Sequence, residues 1–156
     1  MALIWPVTAA LGEEFGWRTF VTARLLPILG LLPSGLLVGL IWGLRHLPAD
    51  FVGLKGYGDL FWLAFLINGP IVLTAHAVIM TWLWHRTHGS TLVVVLYHWS
   101  ITASAIVAPS APSQGWEGIA AAGIGAAGIW LAAAILLAVR HGDFAPMPRL
   151  LRPEAA

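Results

Sequence analysis

Residues 116–140, WEGIAAAGIGAAGIWLAAAILLAVR, decide which solvent this chain folds in. From Gly118 to Val139 the stretch carries no charge. Its length fits the roughly 20 residues that cross about 30 Å of hydrocarbon at 1.5 Å per residue. The whole chain agrees with it. Charged residues make up 10% of the 156, 59% are hydrophobic and nine are tryptophan, where soluble domains carry roughly 25% charged residues. Mean hydropathy is +0.84. A small domain buries only about two-thirds of the surface its unfolded chain exposes, so a water-soluble fold of this size has nowhere to hide so much apolar surface. The solvent is lipid, and the length fits one domain. With no cysteine, disulfides, thiolate metal sites and cysteine nucleophiles are excluded. A net charge of +1 without a long basic run argues against a nucleic-acid partner. Met1 to Thr8 lacks a basic leader and a small-residue cleavage site, so no signal peptide is expected.

Outward from this span, the sequence predicts an all-α, polytopic transmembrane bundle of about five helices enclosing an intramembrane polar cavity. Helix A covers about residues 5–26, with Pro6 in its first turn and Pro27 at its end. Helix B runs from about Ser34, read as an N-cap, to Leu47 before Pro48. Helix C covers about 59–85 with a kink at Asn68-Gly69-Pro70. Helix D covers about 90–108 and stops at Pro109, and helix E is the opening stretch. Residues 1–140 form the core, and residues 141–156, with Gly142, Pro146, Pro148 and Pro153, read as an irregular C-terminal tail. Gly123, Gly125, Ala127 and Gly128 read as ordinary close packing of helix E. Trp42, Trp62, Trp82, Trp84, Trp116 and Trp130 read as an interfacial belt. Arg24, Arg86, Arg140, Arg149 and Arg152 fall on one side and Arg45 and Lys55 on the other, which puts the N-terminus outside.

Ionisable groups at bilayer depth need a partner or a purpose. Helix A carries Gly12-Glu13-Glu14-Phe15-Gly16-Trp17-Arg18 in its middle. At about 100° per residue, Glu14 and Arg18 lie about 40° apart and form a structural ion pair, whereas Glu13 lies roughly 140° from Arg18. Glu13 then faces another wall. A carboxylate desolvated without a cation is the better proton acceptor, as a general base requires. Helix B ends in Trp42-Gly43-Leu44-Arg45-His46, and helix D carries His98 with Thr102 one turn on. Glu13 and His98 each sit roughly 12–15 Å along their helices and share a level. One carboxylate and two histidines suffice for a metal site, or for a base with oxyanion donors.

This ordered set resembles the CPBP intramembrane proteases, which include the type II CAAX prenyl endopeptidases and their bacterial relatives. That family shows Glu-Glu-x-x-x-Arg, then aromatic-x-x-x-His, then His-x-x-x-Asn or Asp. Here these are Glu13 to Arg18, Trp42 to His46 followed by Leu47-Pro48, and His98 to Thr102. Thr81 to Thr87, ahead of Gly89-Ser90, resembles the lead-in to the third motif, so the likeness spans roughly residues 11–104. It implies an integral, multi-pass membrane endopeptidase, in the plasma membrane of a bacterium, that cuts a peptide or membrane-protein substrate at or within the lipid bilayer. Glu13 would activate water with help from His46, and His98 with Thr102 would stabilise the oxyanion. The metal-free form is the reading taken; the alternative is Zn2+ held by Glu13, His46 and His98. Two departures stand out. Thr102 replaces the usual Asn, and its hydroxyl is able to bond back to the His98 carbonyl. Family members also carry helices ahead of the Glu-Glu helix, so this chain reads as a minimal version or as lacking them. Two other readings compete: a catalytically weak relative serving as a membrane binding or immunity-type protein, and a proton relay through Glu13, His46, His76 and His98.

Overall fold

The computed structural model describes residues 5–107 and 114–144, and among these it contains helices and turns but no strand. Helix α1 (Trp5–Glu14), a π-helical stretch (Phe15–Thr22) and α2 (Ala23–Leu29) run on as one first helix. It is longer than the predicted 5–26, because Pro27 lies inside it. The helix ends at Gly30, whose φ of +83° and ψ of 176° favour a residue without Cβ. Pro6, Ala10, Glu14, Arg18 and Thr22, spaced by four, are its buried stripe. In a pure α-helix a four-residue step drifts by about 40° each time. The wider π turn, in which the Ala23 amide reaches back to the Arg18 carbonyl, slows that drift and keeps Arg18 and Thr22 on the inner face.

Helix α3 (Leu31–Arg45) begins before Ser34, which is therefore a buried interior residue and not the predicted N-cap. The chain bends by 48° at His46 into α4 (Leu47–Gly53), with Pro48 in its first turn. A 3₁₀ turn (Lys55–Leu60) leads into α5 (Phe61–Leu66), a π turn (Ile67–Ile71) and α6 (Val72–Arg86). The predicted kink at Asn68-Gly69-Pro70 takes the form of that π turn, since Pro70 removes a ladder donor. The carbonyl of Ile71 accepts a hydrogen bond from Nε1 of Trp130 at 3.0 Å. Helices α7 (Thr91–Val107) and α8 (Gly115–Val139) complete the bundle. The predicted end of helix D at Ala108 and Pro109 lies outside the described residues, as do residues 145–156 of the tail. The start of that tail is ordered: a 3₁₀ turn (His141–Phe144) is tied down by Asp143. Trp82 Nε1 donates to Asp143 Oδ2 at 3.0 Å and Arg140 Nε at 3.2 Å. The indole donor, then Arg140, hold the Asp143 carboxyl below its ordinary pKa against partial desolvation.

Two described helices, Gly56–Arg86 and Gly115–Val139, are long and apolar enough to cross a membrane, and α3 with α4 makes a third if taken as one bent span. Of the five predicted, the first helix instead carries Glu13, Glu14, Arg18 and Arg24, and α7 is apolar but shorter.

The bundle's tightest seam joins α3 to α6. Gly35, Gly39 and Gly43 repeat every four residues, and a Cβ on Gly39 would stand 2.5 Å from Thr74 Cα, one on Gly43 2.5 Å from Pro70 Cα. Only hydrogen fits there, and backbone approaches backbone. The role predicted for the glycines of helix E belongs to these three. A Cβ on Gly123, Gly125 or Gly128 would meet nothing within 4 Å. Around the seam, Trp42, Ala77, Met80 and Val94 form the apolar core.

Candidate active site

Trp42 organises the centre of the bundle. The sequence placed it in an interfacial belt, yet it is 2% exposed, because Gly39 and Gly43 draw α3 into the interior and Trp42 with it. Its Nε1 donates to Glu13 Oε2 at 2.6 Å. Its ring lies edge-on to those of His98, at 5.1 Å between centroids, and His46, at 6.1 Å. The Arg18 guanidinium sits 5.7 Å from the ring centre. The predicted residues Glu13, His46 and His98 thus meet on one indole, although they come from three helices.

Glu13 is not alone with Trp42. Arg45, one residue before His46, places Nη2 2.5 Å from Glu13 Oε1. This corrects the expectation of a carboxylate without a cation: Arg18 pairs with Glu14, and Arg45 of α3 supplies the charge to Glu13. Both Glu13 oxygens therefore accept from N–H groups, and the carboxylate is fixed in place. It stays reachable, lining an open groove of about 480 Å³ between the first helix (Gly12, Gly16, Trp17, Phe20) and Arg45.

Glu14 and Arg18 are both fully buried, with Arg18 Nε 3.3 Å from Glu14 Oε2. Glu14 has a second partner that helix geometry could not supply: its Oε1 lies 2.8 Å from Nδ1 of His98, 84 residues away. The carboxylate bridges the Arg18 guanidinium and the His98 imidazole, so α1 and α7 are joined through a charge-assisted contact. His98 itself is nearly closed off, at 9% exposed. Glu14 engages the Nδ1 side of the ring and leaves Nε2 on the opposite side.

His46 sits at the bend between α3 and α4, with Nδ1 2.9 Å from the Trp42 carbonyl. Thr102 turns its hydroxyl back to the His98 carbonyl at 3.3 Å. That is the local bond a helical Thr makes to the carbonyl one turn earlier. His76, offered as part of a relay, bonds Tyr97 Oη at 3.0 Å.

No group of three or more His, Cys, Asp and Glu side chains gathers in a way that could hold a metal ion among the described residues. In this conformation Glu13 is engaged by Trp42 and Arg45, His98 by Glu14 and His46 by a backbone carbonyl. The three residues suggested for Zn2+ do not fit that role as placed.

Two residues central to this arrangement were missed in the sequence. The sequence marks Arg45 only as a loop charge and Trp42 only as a belt and motif aromatic. Their spacing to His46 and their nearness to Gly43 were the available signals.

Comparison with known proteins points the same way. The chain is similar to CAAX prenyl protease 2 of Methanococcus maripaludis, with 27% identity over 97 residues, 60% of this chain and 35% of the relative. The chain thus spans about a third of the length of that curated relative. No solved structure matches at a significant level. The family model described as type II CAAX prenyl endopeptidase Rce1-like matches residues 1–104, which hold every motif named above. With its apolar helices, this makes the chain an integral membrane protein, and it belongs to the type II CAAX prenyl endopeptidase Rce1-like family.

Proposed function

We propose that this chain is an intramembrane endopeptidase in which Glu13 activates the attacking water and His98 stabilises the oxyanion. The observation that carries the reading is the shared contact of Glu13, His46 and His98 with Trp42. Glu13 is the group with access, since it borders the open groove, and it takes the proton of the water as that water adds to the scissile carbonyl. His46, one helical turn from Trp42, orients the same water. His98 is held by Glu14 through Nδ1. A carboxylate in that place fixes the ring, and a proton on the distal nitrogen is then aimed at the developing oxyanion. Glu13 then passes that proton to the leaving amine as the oxyanion collapses and the C–N bond breaks. The catalytic set is Glu13, His46 and His98, with Glu14 and Arg18 as positioning residues. No step needs a metal. The substrate is a peptide or membrane-protein segment, and a bacterial plasma membrane is the proposed location.

The second reading, a catalytically weak relative that binds a membrane partner, is favoured by one observation: the Thr102 hydroxyl is spent on the His98 carbonyl. Purified protein in detergent, given a library of membrane-segment peptides, separates the two. The enzyme reading predicts cleavage by wild type, lost in Glu13→Gln and retained after chelator treatment. Binding without cleavage supports the second reading, and proton flux without cleavage supports a relay.

A further inference from the structure

Helix α7 carries His98 on a surface that is apolar nearly all round, with Leu92, Val93, Val94, Val95 and Leu96 ahead of Tyr97 and His98. In water such a helix is oriented by the face it buries. In lipid that force is missing, because the acyl chains are as apolar as the side chains they surround. Polar contacts then decide which way α7 faces. Ser100, Thr102 and Ser104 give their hydroxyls to carbonyls of α7 itself, so these bonds fix it to no neighbour. Other bonds leave the helix. Thr91, at its start, meets the Thr19 hydroxyl at 2.8 Å, and His98 meets Glu14 at 2.8 Å. Tyr97 Oη meets Nδ1 of His76, on α6, at 3.0 Å.

The first two of these go to the first helix, and the third goes to a different neighbour. Tyr97 and His98 are consecutive, so their side chains leave the axis about 100° apart at nearly one level. A helix held by one side chain can swing about that bond. Held by two in different directions, it has one rotation that satisfies both. The tolerance is small: a turn of about 20° carries an imidazole about 6 Å from the axis through about 2 Å, more than a hydrogen bond survives. The Tyr97 side is firmly seated. Its ring meets that of His76 edge-on at 5.8 Å between centroids and packs against the core of Trp42, Ala77, Met80 and Val94. We infer that His76 is a positioning residue for His98: through Tyr97 it sets the rotation of α7 at which His98 meets Glu14. The catalytic consequence rests on the proposed hydrolase function, whereas the placement of His98 does not.

The test reads His98 directly. In detergent-solubilised protein labelled with 15N-histidine, the Nδ1–H signal of His98, identified by its loss in His98→Gln, reports the bond to Glu14 through its exchange with water. Tyr97→Phe keeps the ring and its packing and removes only the hydroxyl; His76→Leu removes the other partner. Each is expected to speed that exchange by about three- to twentyfold, the worth of one interhelical hydrogen bond in lipid. His76→Asn, whose amide can stand where Nδ1 stood, is expected to restore most of the protection. Trp130→Phe removes an interhelical bond elsewhere, to the Ile71 carbonyl, and should leave the signal as in wild type. Unchanged exchange in folded Tyr97→Phe and His76→Leu would overturn the inference, and so would an equal rise in Trp130→Phe, which would mean general loosening. On a cleaved peptide, Tyr97→Phe is expected to lower kcat by about tenfold or more with KM little changed, since a displaced donor costs rate and not ground-state binding. Faster exchange in a protein that cleaves no peptide would leave the positioning of His98 standing and remove only its catalytic use.

Discussion

The Trp42 indole N–H holds Glu13 at 2.6 Å while its ring lies 5.1 Å from that of His98, so one side chain contacts both the proposed base and the proposed oxyanion donor. Trp42→Phe separates the two roles. It keeps a ring against His98 and removes only the bond to Glu13. A hydrogen bond to a charged group is worth about 1.5–3 kcal/mol, so kcat is expected to fall by about 10- to 100-fold with folding largely kept. An unchanged kcat, measured on protein of matched folded fraction, would show that the bond does not position Glu13.

Glu14 answers to two partners, and its removal leaves both exposed to low dielectric. Truncating one side of a buried ion pair costs about 3–5 kcal/mol. Glu14→Ala is therefore expected to lower the yield of folded protein in the membrane, and Glu13→Gln, at a partly exposed carboxylate, is not. Equal yields of Glu14→Ala and wild type would count against this division.

The back-bonded hydroxyl of Thr102 makes a directional prediction. A carboxamide at this position has two N–H groups to offer and is poorly placed to bond its own helix in the same way. Loss of one oxyanion donor typically lowers rate by about 10² to 10³, so Thr102→Asn is expected to raise kcat within that range and leave KM nearly unchanged, since the gain is made only in the transition state. Thr102→Val should match wild type. A Thr102→Val variant much slower than wild type would mean that the hydroxyl leaves the His98 carbonyl during turnover.

Gly39 and Gly123 provide a paired test of the packing. A methyl group at position 39 would meet Thr74 Cα at 2.5 Å and Ala77 Cβ at 2.8 Å, whereas one at 123 would meet nothing within 4 Å. Overpacking costs about 1–3 kcal/mol. Gly39→Ala is expected to lower the Tm in detergent, and Gly123→Ala to leave it level or slightly higher through helix propensity. The opposite order would place the critical glycine contact on α8.

The contrast between those two glycines also shows how far the sequence can be read. Glu14 and Arg18 were legible because they lie four apart on one helix, and the arithmetic of a turn brings them together. Membrane solvent and helix type were legible because hydropathy is a sum over residues. The His98–Glu14 contact was not, because it depends on how α7 rotates against α1, which no local period encodes. Gly35, Gly39 and Gly43 stood in plain four-residue repeat, yet which small-residue stripe finds a partner is decided by the packing of whole helices. Trp42 followed from that choice: once α3 closes on α6 its indole is interior, and Arg45 comes round to Glu13. The π turn at Phe15–Thr22 was invisible for a related reason, since a fold accepts it for the inner-face stripe it keeps aligned and not for any propensity of those residues.

The central claim is that the Glu13 carboxylate is the base that activates water. Its most direct test is the single-turnover cleavage rate of Glu13→Gln beside wild type, on one peptide, with folded protein matched by size exclusion. A general base contributes about 10² to 10⁴ in rate, and Gln keeps the shape and can still accept from Trp42 while losing the proton acceptor. The account predicts a loss of that size; cleavage by Glu13→Gln within a few-fold of wild type would contradict it.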